Sequence, residues 1–300
     1  MKKRTPDIIS LFLVLCILQS ETVKVFADAD KLMDFSFDGS GTSEDSARGA
    51  SLKVTATLLD KNKSPTDLRT AAGLGVSGNA SDKAFDNSAA TDMGTGGDVA
   101  VASNIKQSGG VVSVDLTNTG DKLTGLQSFT VIGWFQCVPA GVIQNLARLV
   151  EITDSYLHNP PCFTICSTKG GGSLIMDMGI ANTSFDENSV HSNYNTYISS
   201  GSSWQFFAIT YVQAKDEKSL NVVFYKGSTD TTIQEAGKAH LIQPVPDLNK
   251  TLYIGNNRSL DRPFKGYIDN IRIYGSKTDD TGALSLEELT KIYNEDMPKK

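Results

Sequence analysis

Carboxylates are the side chains of this sequence best suited to chemistry, and their spacing limits what that chemistry could be. A retaining glycosidase needs two carboxyl groups roughly 5 Å apart, one as nucleophile and one as general acid. On a β-sheet that asks for acids at i, i+2 or i+4, because side chains alternate faces along a strand. The strand-like segments hold no such cluster. Glu151 and Asp154 in VEITD are an odd number apart, and Asp177 stands alone in LIMDMG. Asp186 with Glu187, and Asp216 with Glu217, fall in polar turns and read as solvated surface. The histidines His158, His191 and His240 are scattered, and no Gly-x-Ser-x-Gly turn supports nucleophile–base chemistry. The expectation is a protein without catalytic activity.

Binding chemistry finds more support. The loop segments DSYLHN (154–159) and VHSNYNTYISSGSS (190–203) set Tyr156, His158, His191, Tyr194 and Tyr197 among asparagines and serines. Aromatic rings offer flat apolar faces with a polar edge, which suits stacking on sugars. The amides and hydroxyls suit sugar hydroxyls. The same mixture also suits an ordinary loop packed over a sandwich. Trp134 and Trp204 lie in strands with apolar neighbours, where core packing is the expectation.

One acid is placed awkwardly. In GYIDNIRIYG (266–275), strict alternation puts Tyr267, Asp269, Ile271 and Ile273 on one face, so Asp269 would share the core face with two isoleucines. A buried carboxylate without a partner costs several kcal/mol. Three partners are open: a structural calcium ion, which takes oxygen ligands; an arginine, with Arg48, Arg258, Arg262 and Arg272 available; or the backbone N–H groups of a neighbouring turn.

The elements that would position these residues are strands almost throughout. Period-two segments at 128–138, 148–153, 162–166, 173–180, 204–212, 220–227, 251–256 and 266–275 alternate with Gly, Asn, Asp, Ser and Pro clusters. Two further strands are expected within 32–39 and 50–60, and another at 110–116. Many short strands separated by such turns imply an all-β sandwich or jelly roll of antiparallel sheets. Residues 60–110 are rich in Gly, Ala, Ser and Asp, and the expectation is long loops anchored by Leu68, Leu74, Val76 and Phe85. One helix is expected at the end. Ser285 and Glu288 form a capping box ahead of the stripe Leu286, Leu289, Ile292 and Tyr293.

Length and composition bound the rest. The chain has 300 residues and a formal charge of −6, with no basic footprint for nucleic acid or anionic lipid. Lys2, Lys3 and Arg4 precede an apolar run at 8–18 that is too short to span a bilayer, and Ala27-Asp28-Ala29 offers a small-x-small cleavage site. The expectation is a signal peptide at 1–29 and a secreted single domain at 30–300. Beyond the leader, Cys137, Cys162 and Cys166 allow one disulfide or buried free thiols. Cys162 and Cys166 are about 13 Å apart along a strand, too far to bridge, whereas a bond from Cys137 to either is open.

Four stretches in order resemble the laminin-G-like, concanavalin A-like jelly-roll domains of secreted bacterial proteins. They are FSFDGSGTSEDSARG, SFTVIGWFQ, SSWQFFAITYVQAKDEKSLNVVFYKGS and LYIGNNRSLDRPFKGYIDNIRIYGSKTDDTGALSLEELTKIY, together spanning about 33–296. The resemblance implies a jelly roll with a C-terminal helix. It also implies that a calcium ion bridges the opening and closing strands through Asp38 and Asp269, with Asp45 a third carboxylate. It is similar both to binding modules and to glycan hydrolases. The leading expectation is therefore a non-catalytic module for carbohydrate or a cell-surface component. A glycan-cleaving enzyme and a structural envelope or adhesion protein are the rivals.

Overall fold

A computed structural model describes residues 29–38, 56–59, 70–88, 90, 109–117, 123–138, 147–153, 162–167, 174–179, 189–191, 203–215, 220–241, 248–258, 260 and 262–298. Among the described residues fifteen strands appear in chain order: β1 (Asp30–Phe35), β2 (Ala56–Leu59), β3 (Thr70–Ala72), β4 (Lys83–Asp86), β5 (Val111–Asp115), β6 (Ser128–Cys137), β7 (Arg148–Thr153), β8 (Cys162–Ser167), β9 (Leu174–Gly179), β10 (Ser189–His191), β11 (Gln205–Val212), β12 (Val222–Ser228), β13 (Thr231–Ala239), β14 (Thr251–Ile254) and β15 (Gly266–Ser276). One helix, α1 (Leu286–Asp296), follows them.

The strands make two antiparallel sheets. The first runs β13-β12-β11-β6-β15-β4-β3, with β1 also paired to β15; the second runs β10-β9-β8-β7-β14-β5-β2. Their inner faces meet in one apolar core. Phe129, Val131, Phe207 and Ile209 come from the first sheet, and Val112, Val150, Ile165 and Leu252 from the second. Alternation explains this placement: Phe129 and Val131 on β6, and Phe207 and Ile209 on β11, sit two positions apart and so share a face.

The alternation fails at β15, and there the structure corrects the reading of Asp269. Asp269 pairs with Trp134 and Arg272 with Ile132, so Asn270 and Ile271 together oppose Gly133. This is a β-bulge, with Asn270 in the left-handed region at φ 50°. Ile271 and Ile273 stay in the core, but Asp269 moves to the outer layer beside Trp134. Gly133 makes room for the extra residue: a Cβ there would lie 2.2 Å from Ile271 Cδ1.

The described part of 60–110 holds regular structure that its composition does not announce. Within it β3 and β4 form a hairpin on the first sheet, and Val76 and Phe85 are buried while Leu74 is 41% exposed. Leu68 lies outside the described residues. Two other strands escape the apolar period. β10 has three residues, and β13 is an edge strand whose sequence TTIQEAGKA buries only Ile233 and Ala236.

Helix α1 has the expected capping box: Ser285 Oγ accepts from Glu288 N, and the Glu288 carboxylate accepts from Ser285 N. It lies on the outer face of the first sheet, where Leu289 and Tyr293 join Trp134, Phe206 and Ile132 in a second apolar cluster. Tyr293 stacks on Trp134 at a centroid distance of 5.3 Å. Cys137 is a buried thiol outside any disulfide, so no bond from it forms to Cys162 or Cys166, and burial pushes it up to about 12.

Candidate functional site

One register row of the second sheet is made of residues with hydrogen-bonding side chains, and its members Thr164, Glu151, Tyr253 and Ser113 face outward. Strand register aligns Ser189, Asp177, Thr164, Glu151, Tyr253, Ser113 and Thr57, one from each of the seven strands. The rows flanking it across the pleat face inward and are apolar, as with Met176, Ile165, Val150, Ile254 and Val112. One face of this sheet therefore makes core, and the other combines these polar residues with a small buried apolar cluster of Val111, Tyr253 and Leu260.

The middle of that polar row is buried. Thr164 and Glu151 are almost inaccessible, and Arg148 is 0% exposed although it shares their face. Arg148 Nε donates to Glu151 Oε2 at 2.8 Å. Glu151 is thereby committed to a buried cation. Glu151 and Asp177 do occupy one row two strands apart, about 9–10 Å by strand spacing. Inspection of single strands missed this pair because it arises only across the ladder.

Among the described residues, the accessible part of the face lies on β5 and β14. Ser113 and Thr251 are half-buried and Asp115 is exposed, with Thr251 directly opposite both Asp115 and Thr153. Asp115 Oδ1 accepts from Thr117 N at 2.9 Å and from Thr117 Oγ1. These donors hold the carboxyl below its usual range, so it stays ionised and oriented.

Strand direction divides the aromatic residues expected to bind ligand. The segment with Tyr156 and His158 follows Thr153, so it leaves from the Asp115–Thr251 end of the sheet. β7 and β9 run one way, while β8 and β10 run the other. His191 therefore closes β10 opposite Ile175, and the segment with Tyr194 and Tyr197 leaves from the other end. Tyr156, His158, Tyr194 and Tyr197 lie outside the described residues.

A second polar constellation ties the chain ends together on the first sheet. β15 has β6 along one edge; its other edge is shared by β4, opposite Tyr267 and Ile268, and by β1, opposite Ile271–Gly275. Asp269 stands at the seam between them. Its Oδ2 accepts from Val76 N at 2.9 Å, and its Oδ1 from Asn270 N at 2.7 Å. The backbone amides of the neighbouring turn are thus the partners of Asp269. Arg272, the nearest arginine in sequence, is spent on Asp34 and Asp296 instead.

Asp38 and Asp82 join this seam. Asp38 Oδ1 accepts from Lys83 N at 3.0 Å and Asp82 Oδ2 from Ser77 N at 2.7 Å, and the charge of Asp38 acts on the Asp82 carboxyl. Burial, reinforced by the charge of Asp82, pushes the Asp269 carboxyl well above its ordinary value; burial likewise raises Asp82. Two left-handed residues, Phe37 and Asn270, flank the acids, and Gly75 leaves the space that the Asp82 carboxylate fills. Asp82 follows a polar turn, and nothing local in the sequence marks its approach to Asp38, 44 positions earlier. Asp45 lies outside the described residues. Among the described residues, no three Asp, Glu, His or Cys side chains are gathered closely enough to hold a metal ion.

No protein-family model and no curated protein matches the chain. Solved structures do. The binding domain of botulinum neurotoxin DC in complex with rat synaptotagmin II aligns with a TM-score of 0.51 at 13% identity, over 89% of this chain and 52% of that one. The same domain in complex with SialylT gives 0.50 at 12% over 89% and 52%. The receptor binding domain of botulinum neurotoxin mosaic serotype C/D gives 0.50 at 11% over 89% and 51%. The chain spans about half the length of these solved chains. At such identities the likeness shows a shared β-sandwich fold.

Proposed function

We propose that this chain is a secreted, non-catalytic binding module for carbohydrate or a cell-surface component, of the laminin-G-like jelly-roll type. The observation that carries the reading is the polar outer face of the second sheet, open at Ser113, Asp115 and Thr251. A fixed carboxylate beside hydroxyls suits sugar hydroxyls, which donate to the first and exchange bonds with the second. The segment with Tyr156 and His158 departs from this same end and would supply stacking rings. The shared fold with receptor-binding domains, one of them in complex with SialylT, supports the reading. So does the leader-like segment at 1–29, from which the mature chain would begin near Asp30. A glycan array tests the proposal: defined spots above background are expected, with the bound glycan recovered uncleaved. Uniformly blank spots, or cleaved product, would count against it.

Cleavage has one observation in its favour, that strand register sets Glu151 and Asp177 in one row. Binding is preferred because Glu151 is buried against Arg148 and does not face solvent.

We also propose a structural calcium ion at the seam, held by Asp38 and Asp269 with Asp45. These are hard oxygen donors, and the Asp38–Asp82–Asp269 cluster carries mutual repulsion that a divalent cation would offset. Calorimetric titration with Ca²⁺ is expected to give binding heat and a higher melting temperature than an EDTA control. Neither effect appearing would remove calcium from the account.

A further inference from the structure

The first and last elements of the described chain share no ladder, yet they meet on one side chain. β1 pairs with β15 alone among the described strands, and its buried acid is Asp34. α1 docks through Leu289, Tyr293 and Asp296. Arg272 stands between them. Its Nη1 and Nη2 each donate to Asp296 at 2.8 Å, in a two-pronged fork, while its Nε donates to Asp34 at 3.1 Å. Nη2 also reaches Asn270 Oδ1 at 3.2 Å, and Asp296 Oδ2 accepts from Trp134 Nε1 at 2.9 Å. The fork fixes the plane of the guanidinium, and that plane aims Nε at β1.

From this geometry we infer that α1 is a latch for the amino-terminal strand: undocking of the helix and release of β1 are one coupled event. Without Asp296 the guanidinium loses its orientation and its main partner in a nearly dry site, where the three side chains are 14%, 10% and 6% exposed. Without Asp34 it loses the bond that draws β1 onto the sheet. Coupling of this kind is reciprocal, so each element must stabilise the other by the same factor. Release of β1 also draws Asp38, four residues beyond Asp34, away from Lys83 and Asp82.

Hydrogen exchange followed by mass spectrometry on the full chain tests the latch. Asp296→Asn is expected to speed exchange in β1 at least tenfold, although Asp296 makes no bond to that strand. Asp34→Asn is expected to speed exchange in α1 by a similar factor. Arg272→Lys keeps the charge, removes the fork and is expected to loosen both ends together. In all three variants β11 and β12 should exchange at the wild-type rate, which separates latch opening from general destabilisation. Faster exchange in α1 alone for Asp296→Asn, an unchanged α1 for Asp34→Asn, or equal acceleration in β11 and β12 would overturn the inference.

Discussion

Glu151→Ala is expected to lower the unfolding free energy by about 3–5 kcal/mol, because it leaves the wholly buried Arg148 without its carboxylate. For a domain of this size that corresponds to roughly 10 °C in melting temperature. Glu151→Gln, which keeps an oxygen acceptor but no charge, should fall between wild type and alanine. Thermal melts of the three proteins check this. The result also separates two roles for an acid on the polar face. A counter-ion gives a stability loss in both variants, whereas a catalytic acid gives unchanged melting with loss of turnover.

Asp269→Ala should cost about 2–5 kcal/mol, since the amides of Val76 and Asn270 would lose their acceptor within a buried seam, each at about 1–3 kcal/mol. Its pH dependence has a definite sign. The folded-state pKa of Asp269 is raised, so the folded protein holds that proton more tightly than the unfolded chain. In EDTA, the stability linked to this proton is fully present below about 3.8 and is lost as pH rises through the raised folded value. The wild type should therefore gain stability as pH falls through that raised value towards about 3.8, and Asp269→Asn should flatten that gain. Denaturant melts across this range decide the matter: equal slopes for the two proteins would show that Asp269 is not the group concerned.

Sequence period and strand register carry different information, and the comparison shows where each stops. The strands with apolar alternation, from 128–138 to 266–275, were legible because every second residue faces a common core. The capping box of α1 was legible because its two partners are three residues apart. β13 was not, since an edge strand with interrupted register buries only Ala236 towards the core and Ile233 towards α1. Asp269 was misplaced for a local reason: a single left-handed residue, Asn270, inserts an extra position and reverses the face of everything before it. The polar row of the second sheet and the convergence of Asp38, Asp82 and Asp269 were hidden for a non-local reason. Both are assembled by pairings between distant segments that no short motif records.

The reading of the molecule as a binding module rests finally on the open end of that polar face. The most direct measurement is calorimetric titration of the strongest array glycan into wild type and into an Asp115→Ala, Thr251→Ala double variant. The account predicts at least a tenfold loss of affinity, equivalent to about 1.4 kcal/mol, with an unchanged melting temperature. Wild-type affinity in the double variant would contradict it.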